Sequence, residues 1–156
     1  MPRVQLALNV SDLDSAVEFY SKLFATKPAK LRPGYANFAV ADPPLKLILI
    51  EGSGQPGSLN HLGVEVEDTS AVTSAQTRLA EEELPTTSEE GVSCCYAVQD
   101  KVWVDDPDGA PWEIYTVLDD AEEPAGELRA TEPGEPSAAA CCAARPDLAS
   151  QAPASG

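Results

Sequence analysis

The chain has 156 residues, of which 43% are hydrophobic and 23% charged, a composition typical of a globular protein with one principal domain. Its formal net charge of −16 argues against a nucleic-acid partner, since phosphate binding requires clustered Lys and Arg, and it leaves no polybasic patch for a membrane. The sequence shows neither an apolar run of about 18 residues nor a signal-peptide pattern, so we expect a soluble, cytoplasmic protein.

The predicted elements follow the same order in two modules, residues 1–52 and 59–118. The first module has a strand at 4–10, a helix with apolar positions from Leu13 to Phe24, and strands at 35–40 and 45–51. After a Gly-rich linker, the second has a strand at 61–66, a helix with Val72, Ala75 and Leu79 inward, and strands near 93–98, 101–105 and 112–117. The helix caps are Ser11 or Asp12 and Asp68 or Thr69. This order predicts an α+β fold of two βαβββ modules with a curled mixed sheet and a concave face lined by strand residues.

Residues 119–156 differ in composition from the rest of the chain. They contain no aromatic residue, no Ile and no Val, and they carry eight acids against two arginines. Such a segment cannot bury enough apolar surface to offset the entropy lost on ordering. We predict a disordered, acidic, Ala/Pro-rich tail in which residues 138–145 form a transient helix.

The four cysteines occur as two adjacent pairs, Cys94–Cys95 and Cys141–Cys142. Neighbouring α-carbons lie ~3.8 Å apart, whereas disulfides usually need about 4.4–6.8 Å, so a bond within a pair is strained. Two adjacent thiols are better suited to holding one thiophilic centre, such as trivalent arsenic, mercury or cadmium. The alternative is a pair of small buried hydrophobes. Because neighbouring strand side chains point to opposite faces, convergence of the first pair requires a loop or bulge, and residues 88–93 are predicted to form a mobile loop.

Residues 105–115, Asp-Asp-Pro-Asp-Gly-Ala-Pro-Trp-Glu-Ile-Tyr, predict a tight turn followed by a strand in which Glu113 and Tyr115 share one face. The segment resembles the closing hairpin of the vicinal-oxygen-chelate superfamily, which includes glyoxalase I, extradiol dioxygenases and bleomycin-resistance proteins. Asn60-His61-Leu62-Gly63-Val64 resembles the start of that superfamily's second module. The resemblance implies that Gln5, His61 and Glu113 occupy the metal-ligand positions.

Longer strings resemble a narrower group within that superfamily. They are residues 3–10, 33–40, 43–47, 60–66 and 94–104. The group comprises the organoarsenical carbon–arsenic lyases and the related cadmium-induced proteins of actinobacteria. The resemblance implies an Fe(II)- and O2-dependent enzyme that splits the C–As bond of trivalent methyl or aromatic arsenicals and releases arsenite. In that interpretation Cys94 and Cys95 bind the arsenic.

The ligand set leaves the metal and two other functions open. The chain has one histidine, so two histidines and a carboxylate cannot meet within one subunit, and Gln5 supplies an amide oxygen beside His61 and Glu113. With an amide ligand, Co(II), Ni(II) or Zn(II) could replace Fe(II). The alternatives are a cadmium- or arsenic-sequestering stress protein without turnover and another metal enzyme of the superfamily, such as a glyoxalase. Pairing of the modules within a chain or by exchange in a homodimer also stays open.

Auxiliary roles are predicted for several other residues. Lys101 lowers the thiol pKa or steadies the loop, although a solvated strand charge is the preferred interpretation. An aromatic wall for the arsenical's organic group, or ordinary core packing, is predicted for Tyr35, Phe38 and Tyr115. Cys141 and Cys142 either scavenge arsenicals for the site or bind metal adventitiously, and we favour scavenging.

Overall fold

The computed structural model describes residues 2–94 and 96–120, with only the backbone of Cys94. Its strands are β1 (Arg3–Val10), β2 (Lys30–Arg32), β3 (Tyr35–Val40), β4 (Leu45–Glu51), β5 (Leu59–Glu65), β6 (Thr87–Cys94), β7 (Ala97–Asp105) and β8 (Pro111–Asp120). Its helices are α1 (Leu13–Leu23) and α2 (Thr69–Glu81). Each half contains a strand, a helix and three further strands, as predicted for paired βαβββ modules.

All eight strands form one curled, unclosed sheet in the order β2-β3-β4-β1-β5-β8-β7-β6. The first strands of the two modules, β1 and β5, pair antiparallel at its centre. Each of them also runs parallel to the last strand of its own module, β1 with β4 and β5 with β8. The predicted α+β fold is confirmed, and this order brings β1, β5 and β8 side by side.

The two faces of the sheet differ in polarity because side chains alternate along each strand. On one face α1 covers an apolar core whose buried members are Leu13, Ala36, Phe38, Val40, Leu47 and Leu49. The opposite face carries buried polar side chains, among them Gln5, His61, Lys101 and Glu113. Burial of such groups costs free energy unless they find hydrogen-bond or charge partners. The polar face must therefore supply those partners from within the protein.

The helices begin where the sequence places their caps. Asp12 accepts hydrogen bonds from the backbone N–H groups of Asp14 and Ser15, and Asp68 accepts one from Ala71. The N-cap of α1 is therefore Asp12 and not Ser11, and the N-cap of α2 is Asp68 and not Thr69. Among the residues that the structure describes, no helix has the length and apolar character needed to cross a membrane.

Strand β2 is an element that the sequence pattern missed. It has only three residues, too few to show alternation, and its central residue Leu31 is half-exposed. The last strand also runs further than predicted, to Asp120, where it pairs with Ala97 of β7.

The predicted loop at residues 88–93 is wrong, because these residues belong to β6. As an edge strand with one side open, β6 tolerates the polar residues that suggested a loop. Its pairing with β7 is irregular between Glu89 and Val92, where Gly91 has φ of 58° and donates its N–H to Asp100 Oδ1. The predicted strand at 93–98 is also wrong, since β6 ends at Cys94 and β7 begins at Ala97.

Tyr96, in the turn into β7, contacts the far end of the sheet. Its carbonyl accepts a hydrogen bond from Lys30 Nζ at 2.8 Å, and its ring lies 5.2 Å from that of Tyr35. The guanidinium of Arg32 lies 5.8 Å from the same ring, and Lys30 also pairs with Asp120 at 2.8 Å. The turn that follows Cys94 is therefore anchored to β2 and β3 of the first module.

Removal of the C-terminal segment should leave the folded domain almost unchanged in stability. Residues 121–156 lie outside the described residues, as do most of the predicted tail, Cys141 and Cys142. Among the described residues, both apolar clusters lie between residues 6 and 96. Truncation after Asp120, which keeps the Lys30 ion pair, should shift the melting temperature by less than about 2 °C in calorimetry, because few apolar contacts are lost. A fall of many degrees would show that the segment packs on the domain.

Candidate metal centre

The three predicted metal-ligand residues meet on the polar face. Gln5 lies on β1, His61 on β5 and Glu113 on β8, which are adjacent strands. Gln5 Nε2 lies 2.6 Å from Glu113 Oε1 and 3.1 Å from His61 Nε2, and His61 Nε2 lies 3.4 Å from Glu113 Oε1. All three side chains are almost fully buried. Residues more than 100 positions apart in sequence thus bring one amide, one imidazole and one carboxylate together.

These separations suit a divalent cation. Two ligand atoms each about 2.1 Å from a metal lie roughly 3.0 Å apart at a right angle and roughly 3.4 Å apart in a tetrahedron. The 3.4 Å between His61 Nε2 and Glu113 Oε1 agrees with the second value, and Gln5 reaches both atoms through its amide nitrogen, at 3.1 and 2.6 Å. Within the described residues, no group of three His, Cys, Asp or Glu side chains could hold a metal, so such a centre requires the Gln5 amide as its third ligand.

The imidazole of His61 is oriented by a network around the linker between the modules. His61 Nδ1 lies 2.7 Å from Asn60 Oδ1, which can only accept, so Nδ1 carries the proton. In the neutral ring Nε2 is then an acceptor, and the Gln5 amide nitrogen lies 3.1 Å from it. Asn60 Nδ2 donates to Asn9 Oδ1 at 3.0 Å. Asn9 Oδ1 also accepts from Ser53, and Asn9 Nδ2 donates to Ser58. The linker thereby sets which imidazole nitrogen faces the site.

Lys101 pairs with Glu113 in the interior. Its Nζ lies 2.9 Å from Glu113 Oε2, and the Lys101 residue is 2% exposed. Burial raises the pKa of the Glu113 carboxyl, but the charge and hydrogen bond of the Lys101 ammonium oppose that shift, and the pKa lies well below its usual value. The preferred interpretation of Lys101 as a solvated charge is wrong. Strand alternation places it inward, and the buried carboxylate stabilises its charge.

A second charged cluster lies beside Gln5. The Tyr115 hydroxyl is 2.6 Å from Gln5 Oε1 and 3.1 Å from Glu65 Oε2. Glu65 pairs with Arg3 at 2.9 Å and lies 3.9 Å from Lys46 Nζ. Burial, followed by the Glu65 carboxylate, raises the pKa of Tyr115 far above its usual range, so the phenol keeps its proton. Burial lowers the pKa of Lys46, and Glu65 opposes that shift.

The predicted aromatic wall does not form. Phe38 belongs to the apolar core under α1, on the other face of the sheet. Tyr35 packs in a separate cluster with Ala7 and the ring of Tyr96. Tyr115 contacts the candidate ligand Gln5, and that contact uses its hydroxyl and not the face of its ring. Alternation separates Tyr35 from Phe38, because three positions along a strand reverse the face.

The structure places the backbone of Cys94, the first residue of the predicted arsenic-binding pair, at the end of β6. The backbone of Cys94 pairs with Ala97, while Cys95 lies outside the described residues. From Ala97, alternate residues of β7 lead along the polar face to Gln99, Lys101 and Trp103. The Trp103 ring meets that of His61 edge-on at 5.6 Å.

Several residues of this face were not predicted to belong to a site. They are Asn9, Asn60, Glu65, Gln99 and Trp103. Gln99 is distinctive because, among the described buried side chains, its Oε1 is the atom without a hydrogen-bond partner. The alternation of β7 was the available signal for Gln99 and Trp103, since it places both on the face of Lys101.

The doubled βαβββ sheet agrees with the family comparison. Residues 3–114 match the Glyoxalase/Bleomycin resistance protein/Dioxygenase superfamily, and the chain belongs to that superfamily. An extradiol ring-cleaving dioxygenase from B. fuscum shares the fold, with a TM-score of 0.56 and 20% identity over 77% of this chain and 34% of that chain. The predicted superfamily membership is confirmed.

Two relatives are much more similar in sequence. A trivalent organoarsenical cleaving enzyme of Thermomonospora curvata is 62% identical over 123 residues, which cover 78% of this chain and 82% of that protein. The cadmium-induced protein CadI of Mycobacterium tuberculosis is 54% identical over 142 residues, covering 91% of this chain and 93% of that one. The predicted resemblance to both groups is confirmed.

The approach of Gln5 to Glu113 depends on Gly63, which pairs with both in the sheet. A Cβ at Gly63 would lie 3.1 Å from both Gln5 Nε2 and Glu113 Cγ. We expect Gly63→Ala to destabilise the domain by about 1–3 kcal/mol in urea denaturation, as overpacking does. In an open strand position the same substitution would stabilise by roughly 0.5–1 kcal/mol, so an increase in stability would contradict the close approach.

Proposed function

We propose that this protein is an Fe(II)- and O2-dependent carbon–arsenic lyase that releases arsenite from trivalent methyl and aromatic organoarsenicals. The observation that carries the proposal is the meeting of the Gln5, His61 and Glu113 side chains on three adjacent strands, with 3.4 Å between His61 Nε2 and Glu113 Oε1. The substrate class is supported by the relative that is 62% identical and is named a trivalent organoarsenical cleaving enzyme.

The donor set fits a metal with open positions. His61 Nε2, Glu113 Oε1 and the amide oxygen of Gln5 would hold it, with Co(II), Ni(II) or Zn(II) as substitutes. Bound Fe(II) supplies the electrons with which O2 is activated. Lys101 occupies the second oxygen of Glu113 at 2.9 Å and so leaves one carboxylate oxygen for the metal. The Trp103 ring closes one side of His61.

The first cysteine pair captures the substrate in this proposal. A trivalent arsenical R–As(OH)2 reacts with the thiols of Cys94 and Cys95 to give the dithiolate and two molecules of water. Lys101 lies four positions beyond Ala97 on β7, about 13 Å of strand, so capture occurs at the rim of the polar face. Cleavage would require the C–As bond of the captured arsenical to reach the Gln5, His61 and Glu113 side chains on the same face. Gln99, on this path, offers a buried acceptor for a hydroxyl or amine of the organic group.

The main alternative is sequestration of cadmium or arsenic without turnover. The experiment that separates the two loads the protein with Fe(II) under anaerobic conditions and adds methylarsonite with and without O2. A lyase releases arsenite only with both Fe(II) and O2. A sequestering protein retains the intact arsenical in every arm, and that result would refute the proposal.

Capture and cleavage use different groups and should respond separately to substitution. We expect His61→Ala and Glu113→Gln each to lower arsenite release at least 100-fold, since each removes a metal ligand. Methylarsonite capture, measured as a covalent adduct by mass spectrometry, should persist in both variants. Glu67→Gln, which replaces an exposed carboxylate in the loop after β5, is the matched control and should retain the activity. Equal loss of capture and cleavage would assign His61 and Glu113 a structural role.

The thiol variants test the capture step. Cys94→Ser and Cys95→Ser should each lower turnover on the order of 10²-fold, because one thiolate cannot hold arsenic at two points and the C–As bond loses its alignment. Cys141→Ser and Cys142→Ser are the controls, with a milder effect that is largest at low substrate concentration. Pentavalent arsenicals should be inert until reduced. Wild-type arsenite release from the Cys94/Cys95 double serine variant would eliminate this mechanism.

A further inference from the structure

The Gln5 amide directs its nitrogen at the two other candidate ligands. Gln5 Nε2 donates to Glu113 Oε1 at 2.6 Å and lies 3.1 Å from His61 Nε2. Because Asn60 accepts the proton of His61 Nδ1, His61 Nε2 is an acceptor, and the two N–H groups of the amide match two acceptors. The amide nitrogen thus makes the contacts that a cation between His61 and Glu113 would make.

A cation between these groups requires the other end of the amide. The amide nitrogen has donors and no available lone pair, whereas the oxygen has two lone pairs. A half-turn about the last side-chain torsion of Gln5 exchanges the two ends with almost no change in shape. The amide nitrogen then faces the Tyr115 hydroxyl, which in the structure donates to Gln5 Oε1 at 2.6 Å.

The position of Tyr115 lets it accommodate either orientation. A phenol both donates and accepts. When the amide presents its nitrogen, the hydroxyl accepts from it and needs another acceptor for its own proton. Glu65 Oε2 is 3.1 Å away and is held there by Arg3 at 2.9 Å.

We propose that Tyr115 is a positioning residue that, by turning its proton from Gln5 to Glu65, stabilises the Gln5 amide with its oxygen toward the metal. The inference rests on the metal centre of the proposed function and deepens it. With the amide oxygen toward the metal, Tyr115 makes two hydrogen bonds, one from Gln5 and one to the Glu65 carboxylate. In the opposite orientation it donates only one. Tyr115 therefore favours metal binding.

Tyr115→Phe keeps the ring and removes the hydroxyl. We expect its Zn(II) affinity, measured by titration calorimetry, to fall ~10-fold or more, as is typical for groups that orient a metal ligand. Tyr35→Phe is the matched control, because it removes the phenol hydroxyl of a buried tyrosine that accepts a hydrogen bond from Asn37. That variant should bind Zn(II) as the wild type does.

A carboxylate at position 5 has two equivalent oxygens and needs no half-turn. In the Gln5→Glu background the Tyr115→Phe penalty should therefore shrink to roughly threefold or less, a coupling that a double-mutant cycle measures directly. An undiminished penalty in that background would overturn the role in amide orientation.

Wild-type protein provides a readout that no folding defect can obscure. In 15N-edited spectra of the diamagnetic Zn(II) form, the Gln5 side-chain N–H protons should lose their contacts to the His61 ring and gain contacts to the Tyr115 ring. Unchanged contacts in a Zn(II)-bound protein would overturn the half-turn and leave the metal centre standing. Failure of the wild type to bind either Zn(II) or Fe(II) would instead refute the metal centre, and this inference with it.

Discussion

The buried Glu113 carboxylate is the group around which the polar face is organised. An ionised carboxylate loses its hydration on burial, and that cost is tolerable only with charge and hydrogen-bond partners. Lys101 on β7 takes one oxygen, and Gln5 and His61 on β1 and β5 face the other. Four strands from the two modules thus depend on one side chain of β8. Their alignment there also brings an amide, an imidazole and a carboxylate together.

The two faces of the sheet have different roles, because one holds an apolar core and the other holds the candidate site. The face covered by α1 contains the apolar core of the first module, whose packed side chains stabilise the fold. The opposite face holds amides, carboxylates and ammonium groups at low exposure, each tied to neighbours on other strands. Polar interiors of this kind are costly unless complete, and here nearly all described buried polar atoms have partners. The candidate metal centre therefore lies on the face where the fold already has to neutralise buried charges.

The sequence predicted those parts of the site that follow from the alternation of side chains along a strand and from the resemblance to the superfamily. Glu113 and Tyr115 lie on one face of β8 as expected, and Gln5 and His61 meet Glu113. Burial of Lys101 was not predicted, because it depends on a register between β7 and β8 that no single strand reveals. The bridge from Tyr115 to Glu65 likewise joins two strands 50 positions apart. Edge strands β2 and β6 were missed because solvent on one side relaxes their hydrophobic pattern.

The linker between the modules has a consequence for how the chain could be altered. Gly-rich surface segments usually accept insertions, because they hold little structure in place. Here Ser53 and Ser58 hydrogen-bond to Asn9. Asn9 in turn accepts a hydrogen bond from Asn60, whose carbonyl oxygen contacts the imidazole of His61. Lengthening this spacer, or cutting it to exchange modules between chains, would free the histidine ring to rotate. The linker therefore does more than connect the two modules, because its length and sequence fix the orientation of the His61 ring. Changes in the linker should disturb the site as much as changes in the site residues themselves.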